Sequence, residues 1–82
     1  SRVRSRDYFR SYLLFEDRLE TFVDWPKSKP TPISLAEAGF YYLQYEDTVE
    51  CFVCRHKLKE WQSDDCAWDE HRRHSPHCLY LK

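Results

Sequence analysis

The sequence predicts a small α+β domain: a three-stranded antiparallel sheet with short helices around it, stapled by a metal ion. Three observations carry this expectation. The chain has 82 residues, and a chain this short buries only about 60% of its unfolded surface, so a disulfide or metal staple is commonly needed. A Cys-x-x-Cys at 51–54 and the stretch "DEHRRHSPHC" at 69–78 offer the donors for one. The apolar pattern also changes along the chain, from helical spacing before Gly39 to dense aromatic and β-branched runs after it.

From Ser5 to Asp24 there is neither glycine nor proline, and Tyr8, Tyr12, Phe15, Leu19 and Phe22 recur at alternating steps of four and three. That spacing predicts one continuous helix face. Pro26 and "KSKPTP" end it with a loop. "SLAE" at 34–37 reads as a capping box, Ser34 with Glu37 three residues on, and Gly39 suits the end of a short second helix. "FYYLQYEDTVECF" reads as two strands around a "QYED" turn, and "HKLKEW" as a third. "SDD" at 63–65 offers N-caps for a last helix running to about His74, where Ser75-Pro76 stops it.

The formal net charge of −1 lacks the basic footprint of a nucleic-acid binder, and Arg2, Arg4, Arg6 and Arg10 read as a solvated terminus. There is no secretory apolar region and no apolar span near 18 residues, so neither a signal peptide nor a membrane segment is expected. Two disulfides among Cys51, Cys54, Cys66 and Cys78 fit poorly. Cys51 and Cys54 would close a very tight loop, and a disulfide framework does not call for intermingled histidines. Metal binding in a reducing compartment explains the pattern better.

A Cys-x-x-Cys knuckle places two thiolates on one turn, and two distant donors close a tetrahedron around Zn²⁺. Three completions compete: His71 with Cys78, His74 with Cys78, or an all-cysteine site using Cys66. His71 is favoured, because Trp68 lies three residues before it on the same helix face and would shield the site from water. Spacing alone leaves the other two open.

Cys-x2-Cys-x16-His-x6-Cys, together with "RLETFVDWP", "LAEAGFYYL", "DTVECFVC", "LKEW" and "WDEHRRHSPHC", resembles the baculoviral IAP repeat, the BIR domain. The resemblance runs from about Phe15 to Leu81. It divides the chain into an N-terminal helical extension at 1–14 and a zinc-binding domain at 15–82. It picks Cys51, Cys54, His71 and Cys78 as the ligands. Such a Cys3His site is closed, so its one zinc is structural and no enzyme is expected. The centre carries a formal charge of −1, for which Arg55, Lys57, Arg72 and Arg73 are candidate partners. The wording of "RLETFVDWP" points to an insect or baculovirus source.

The resemblance also implies a peptide groove. BIR domains bind proteins, and many hold the free N-terminus of an alanine-led peptide beside the third strand. Position by position, the strand edge is Leu58, Lys59 and Glu60, with Trp61 as a wall and Asp65 as the carboxylate that receives the ammonium group. His74 stands where peptide-binding relatives place tryptophan, and Cys66-Ala67 replaces Asp-Pro. The expected groove is therefore shallow, as in BIR domains that bind partners by other surfaces. Expected partners are caspases, pro-apoptotic antagonists with alanine N-termini, or adaptor proteins, met in the cytoplasm to suppress apoptosis.

Tyr8, Phe9, Tyr12, Leu13 and Leu14 extend the first apolar stripe outside the repeat. A homodimer through this helix is expected, against the alternative that the helix folds back on its own domain. Trp25 and Trp68 read as core aromatics, Arg18 as bound to an internal carboxylate or carbonyl, Cys66 as a spare thiol, and His56 and His77 as surface residues. A nucleic-acid-binding zinc finger is the alternative function. It lacks a basic face here.

Overall fold

The structure is a computed structural model and describes residues 12–82. Its elements are α1 (Phe15–Glu20), α2 (Pro32–Glu37), β1 (Phe40–Tyr42), β2 (Val49–Cys51), β3 (Lys57–Leu58), α3 (Ala67–His74) and a closing 3-10 turn (Leu79–Leu81). The strands form one antiparallel sheet in the order β1-β2-β3, pairing Phe40 with Cys51, Tyr42 with Val49, and Val49 with Leu58. This is the α+β class expected, with the third strand reduced to two residues.

The expected continuous helix over 5–24 is corrected. Residues 1–11, with Tyr8 and Phe9, lie outside the described residues, and Tyr12–Leu14 form a turn and bend, so among the described residues the first helix begins at Phe15. The reason is Arg18. Its guanidinium takes the carbonyls of Tyr12 (2.9 Å) and Leu13 (3.2 Å). These bonds hold the turn that precedes the helix, and no face spacing encodes them.

Two caps also differ from expectation. Helix α2 is capped by Thr31, whose hydroxyl accepts from the Ser34 amide at 3.2 Å, and Pro32 stands at its first position. Proline suits that place, since an N-terminal N–H has no helical partner anyway. At α3 the N-cap is Cys66, without a side-chain cap bond. The nearby Asp65 carboxylate instead accepts from the Gln62 amide at 2.8 Å and forms a local turn.

Strand alternation sends Phe40, Tyr42, Val49 and Cys51 into the core, against Leu35, Ala36, Ala38 and Phe22. Tyr41 and Glu50 point to the other face and are nonetheless buried. Tyr12 covers them, stacked on Tyr41 at 4.0 Å and 7°. Tyr12, one of the residues expected to reach a second copy, therefore packs on its own sheet, while Leu13 and Leu14 stay exposed. Beneath Tyr12, Glu50 accepts from the Tyr41 hydroxyl (2.8 Å) and pairs with Arg55 (2.6 Å) and Lys57 (3.2 Å). Gly39 links α2 to β1 at φ +98, and a Cβ there would lie 2.9 Å from the Tyr80 ring. Backbone conformation and close approach both demand glycine.

Candidate metal centre and groove

Three elements converge on one buried point. Cys51 ends β2 and Cys54 lies in the turn after it. There the Val53 amide donates to Cys51 Sγ (3.3 Å), the Arg55 amide donates to the Cys51 carbonyl (2.9 Å), and Arg55 adopts φ +66. His71 comes from the middle of α3. Cys78 follows the Ser-Pro break and precedes the 3-10 turn. The donor atoms of Cys51, Cys54, His71 and Cys78 all lie within 4.8 Å of one another.

The spacing fits a tetrahedral ion. Bonds of about 2.3 Å at tetrahedral angles hold sulfurs about 3.8 Å apart, and Cys51 Sγ and Cys78 Sγ are 3.8 Å apart. Cys54 Sγ lies 3.7 Å from His71 Nε2. A disulfide would need about 2.0 Å, and all four cysteines are free thiols. Electrostatics agree with the distances. Burial pushes the Cys51 thiol up to about 12, so a thiolate there needs a cation. Burial also lowers the His71 pKa, which keeps the ring neutral as a ligand must be. Its Nδ1 stands 2.7 Å from the Ala38 carbonyl, to which it donates, leaving Nε2 for the ion.

The rival ligands fall away: Cys66 is exposed at the start of α3, and His74 lies outside the cluster. The ring against His71 is Phe40, at 4.6 Å. Trp68, expected to shield the site, stacks instead on Tyr80 at 5.8 Å. The four candidate counter-charges are also committed elsewhere. Arg55 and Lys57 serve Glu50, Arg72 serves Asp69, and Arg73 serves Glu70.

On the outer side of α3, a groove of about 230 Å³ is lined by Leu58, Lys59, Glu60, Trp61, Asp65 and His74, with Gln62, Glu70 and Arg73. The six residues carried over from the resemblance thus share one concavity. Trp61, expected as a wall, lines the groove with most of its side chain sunk in the core at 3% exposure. Sequence reasoning missed Glu70, whose position four before His74 was the available signal; Glu70 Oε1 lies 3.6 Å from His74 Nε2. It also missed Asp47. This carboxylate accepts from the Glu60 amide (2.9 Å) and the Trp61 amide (2.8 Å) and pairs with Lys27 at 2.9 Å, so it sets the groove floor from the β1–β2 turn. A second hollow of about 360 Å³ adjoins it along β3, lined by Leu43, Tyr45, Thr48, Lys57, Leu58 and Lys59.

The family model for the inhibitor of apoptosis domain, BIR, matches residues 18–82. The chain belongs to the BIR family. Among curated relatives, it is 49% identical over 67 residues to the E3 ubiquitin-protein ligase XIAP of Rattus norvegicus, covering 80% of this chain and 14% of that protein. It is 45% identical over 80 residues to the E3 ubiquitin-protein ligase IAP-3 of Orgyia pseudotsugata multicapsid polyhedrosis virus, covering 96% of this chain and 30% of that one. The chain therefore spans less than a third of either relative. Among solved structures, DIAP1 BIR1 bound to a Grim peptide matches with a TM-score of 0.75 and 39% identity, over 78% of this chain and 66% of that one. The Cys3His cluster, the sheet and the flanking helices are those of the BIR fold.

Proposed function

We propose that this BIR domain is a zinc-stabilised protein-interaction module that receives the free N-terminus of a pro-apoptotic antagonist peptide between β3 and α3. The carrying observation is the convergence of Asp65, Glu70 and the open edge of β3 on one groove. Asp65 commits Oδ2 to the Gln62 amide, leaving Oδ1 to accept from an ammonium group. The edge of β3 offers main-chain bonds to an extended guest, and strand addition is the mode that fits it. The structure of DIAP1 BIR1 with a Grim peptide supports the same class of ligand.

His74 in place of an aromatic wall gives this groove modest affinity, and the side chains after the peptide's first residue reach the hollow beyond Leu58. The zinc, closed by four protein donors, supplies cohesion rather than activated water. The working compartment is the cytoplasm, where thiols stay reduced.

Titrating an alanine-led peptide and its N-acetylated twin tests the groove. The free amine should bind, acetylation should weaken binding at least about tenfold, and Asp65→Ala should do the same. Equal binding of the two peptides would sink the reading. A second reading, self-association, is favoured by the exposure of Leu13 and Leu14 (63% and 56%). Solution mass of residues 1–82 against 15–82 decides it, and two monomers would end it.

A further inference from the structure

A Cys3His centre around a divalent ion carries one net negative charge, and here it is buried: Cys51, His71 and Cys78 are at most 4% exposed. Buried charge is costly unless it is offset. Among the described residues, the cations on the strand and helix beside the centre are all committed to carboxylates, as the ion pairs of Arg55, Lys57, Arg72 and Arg73 show.

Arg18 differs from all of them. It is 3% exposed and has no carboxylate partner among the described residues. Its bonds go to neutral oxygens: the carbonyls of Ala36 (2.9 Å), Tyr12 and Leu13, and the Tyr80 hydroxyl (3.2 Å). These engage Nε, Nη1 and Nη2 with neutral oxygens and leave its charge unbalanced. The guanidinium carbon lies 4.5 Å over the ring of Phe52, the residue that follows ligand Cys51. Burial depresses the Arg18 pKa, and the charges of Tyr80 and, more weakly, Cys51 act in the opposite sense. Arg18 also shares a backbone support with the centre. It holds the Ala36 carbonyl at the end of α2, two residues before the Ala38 carbonyl that orients the His71 ring.

We propose that Arg18 is the counter-charge of the metal centre and the positioning residue for His71 through the end of α2. This rests on the reading that the four residues bind zinc. Among the described residues, the fold thus contains a charge pair split between two regions: an arginine that no carboxylate matches and a metal centre whose neighbouring cations are each paired with a carboxylate.

A double-mutant cycle on the metal-loaded chain tests it. Cys54→His, at the most accessible ligand, converts the centre to Cys2His2 and its formal charge from −1 to zero. Zinc affinity is measured by competition with a chromophoric chelator, and the centre is followed by the thiolate charge-transfer bands of bound Co²⁺. Arg18→Gln should lower zinc affinity about tenfold in the Cys3His chain and less than about threefold in the Cys54→His background. Equal losses in both backgrounds would overturn the assignment and leave Arg18 a packing residue. Should Arg18→Gln fail to fold, the cycle is run with Arg18→Lys, which keeps the charge but not the fork. Its coupling to Cys54→His should stay under about threefold, and a larger coupling overturns the charge assignment. Absence of a thiolate–Co²⁺ spectrum in the parent chain would instead overturn the zinc reading itself.

Discussion

Helix α3 carries two regions of opposite character three residues apart. His71 faces inward, 1% exposed, with one ring nitrogen on a carbonyl and the other among thiols. His74 faces the groove beside Glu70 and is partly exposed. The inner region is closed: every donor is provided by the chain and aimed at one point. The outer region leaves a strand edge and a carboxylate oxygen unspent. Closure holds the fold together, and incompleteness leaves room for the proposed guest.

The largest effect should come from breaking the inner region. Chelation of the metal, or Cys78→Ser, should unfold the domain, because the metal-binding free energy of such a site, about 10 kcal/mol or more, is folding free energy. Circular dichroism with and without chelator checks this. A chain that keeps its native spectrum without metal would dissolve the contrast. Asp47→Ala comes next, since it strips two backbone amides near Trp61 of their acceptor and removes the Lys27 pair. A loss of about 2–3 kcal/mol in denaturant unfolding is expected, together with weaker peptide binding.

Acid should act on the sheet's other face. Burial opposes ionisation of Glu50, but hydrogen bonds from Arg55, Tyr41 and Lys57 outweigh it and hold its pKa below the usual value. A depressed carboxylate contributes stability that is present above its unfolded pKa and lost as pH falls through the folded one. Unfolding midpoints should therefore decline below the ordinary carboxylate range, and Glu50→Gln should flatten that decline. The smallest effect on the fold belongs to His74→Trp. Stability should move by less than about 0.5 kcal/mol, as at most surface positions. Affinity for an alanine-led peptide should rise severalfold by calorimetry, since an aromatic wall is a frequent anchor. An unchanged affinity would mean that His74 does not touch the guest.

The two regions also differed in how far the sequence disclosed them. Ligand chemistry is written in residue types, so Cys51, Cys54, His71 and Cys78 could be singled out, although spacing alone left His74 and Cys66 in contention. Aromatic and β-branched enrichment made β1 and β2 legible in the same way. What escaped were features created by contacts across the fold. Arg18 reaches back for the Tyr12 and Leu13 carbonyls and holds them in the turn before α1, although the apolar spacing runs through both. Thr31 in a proline-rich stretch looks like loop until Pro32 is seen as the first turn of α2. Asp47 looks like a turn residue, and its bonds to Glu60 and Trp61 span more than a dozen positions. The groove residues came from family resemblance, because an open surface writes no internal pattern of its own.

The brevity of β3 has one more consequence. Its two residues lie between Arg55 and Glu60, both in the left-handed backbone region, and the edge bears Lys57 and Lys59. An unpaired sheet edge is an invitation to aggregate, and natural proteins blunt it with short strands, bends and lysines. Here all three occur together at the one edge beside the groove. Such an edge can register a single short guest strand yet is too interrupted to template another sheet. The domain can therefore leave this edge open in solution without polymerising through it.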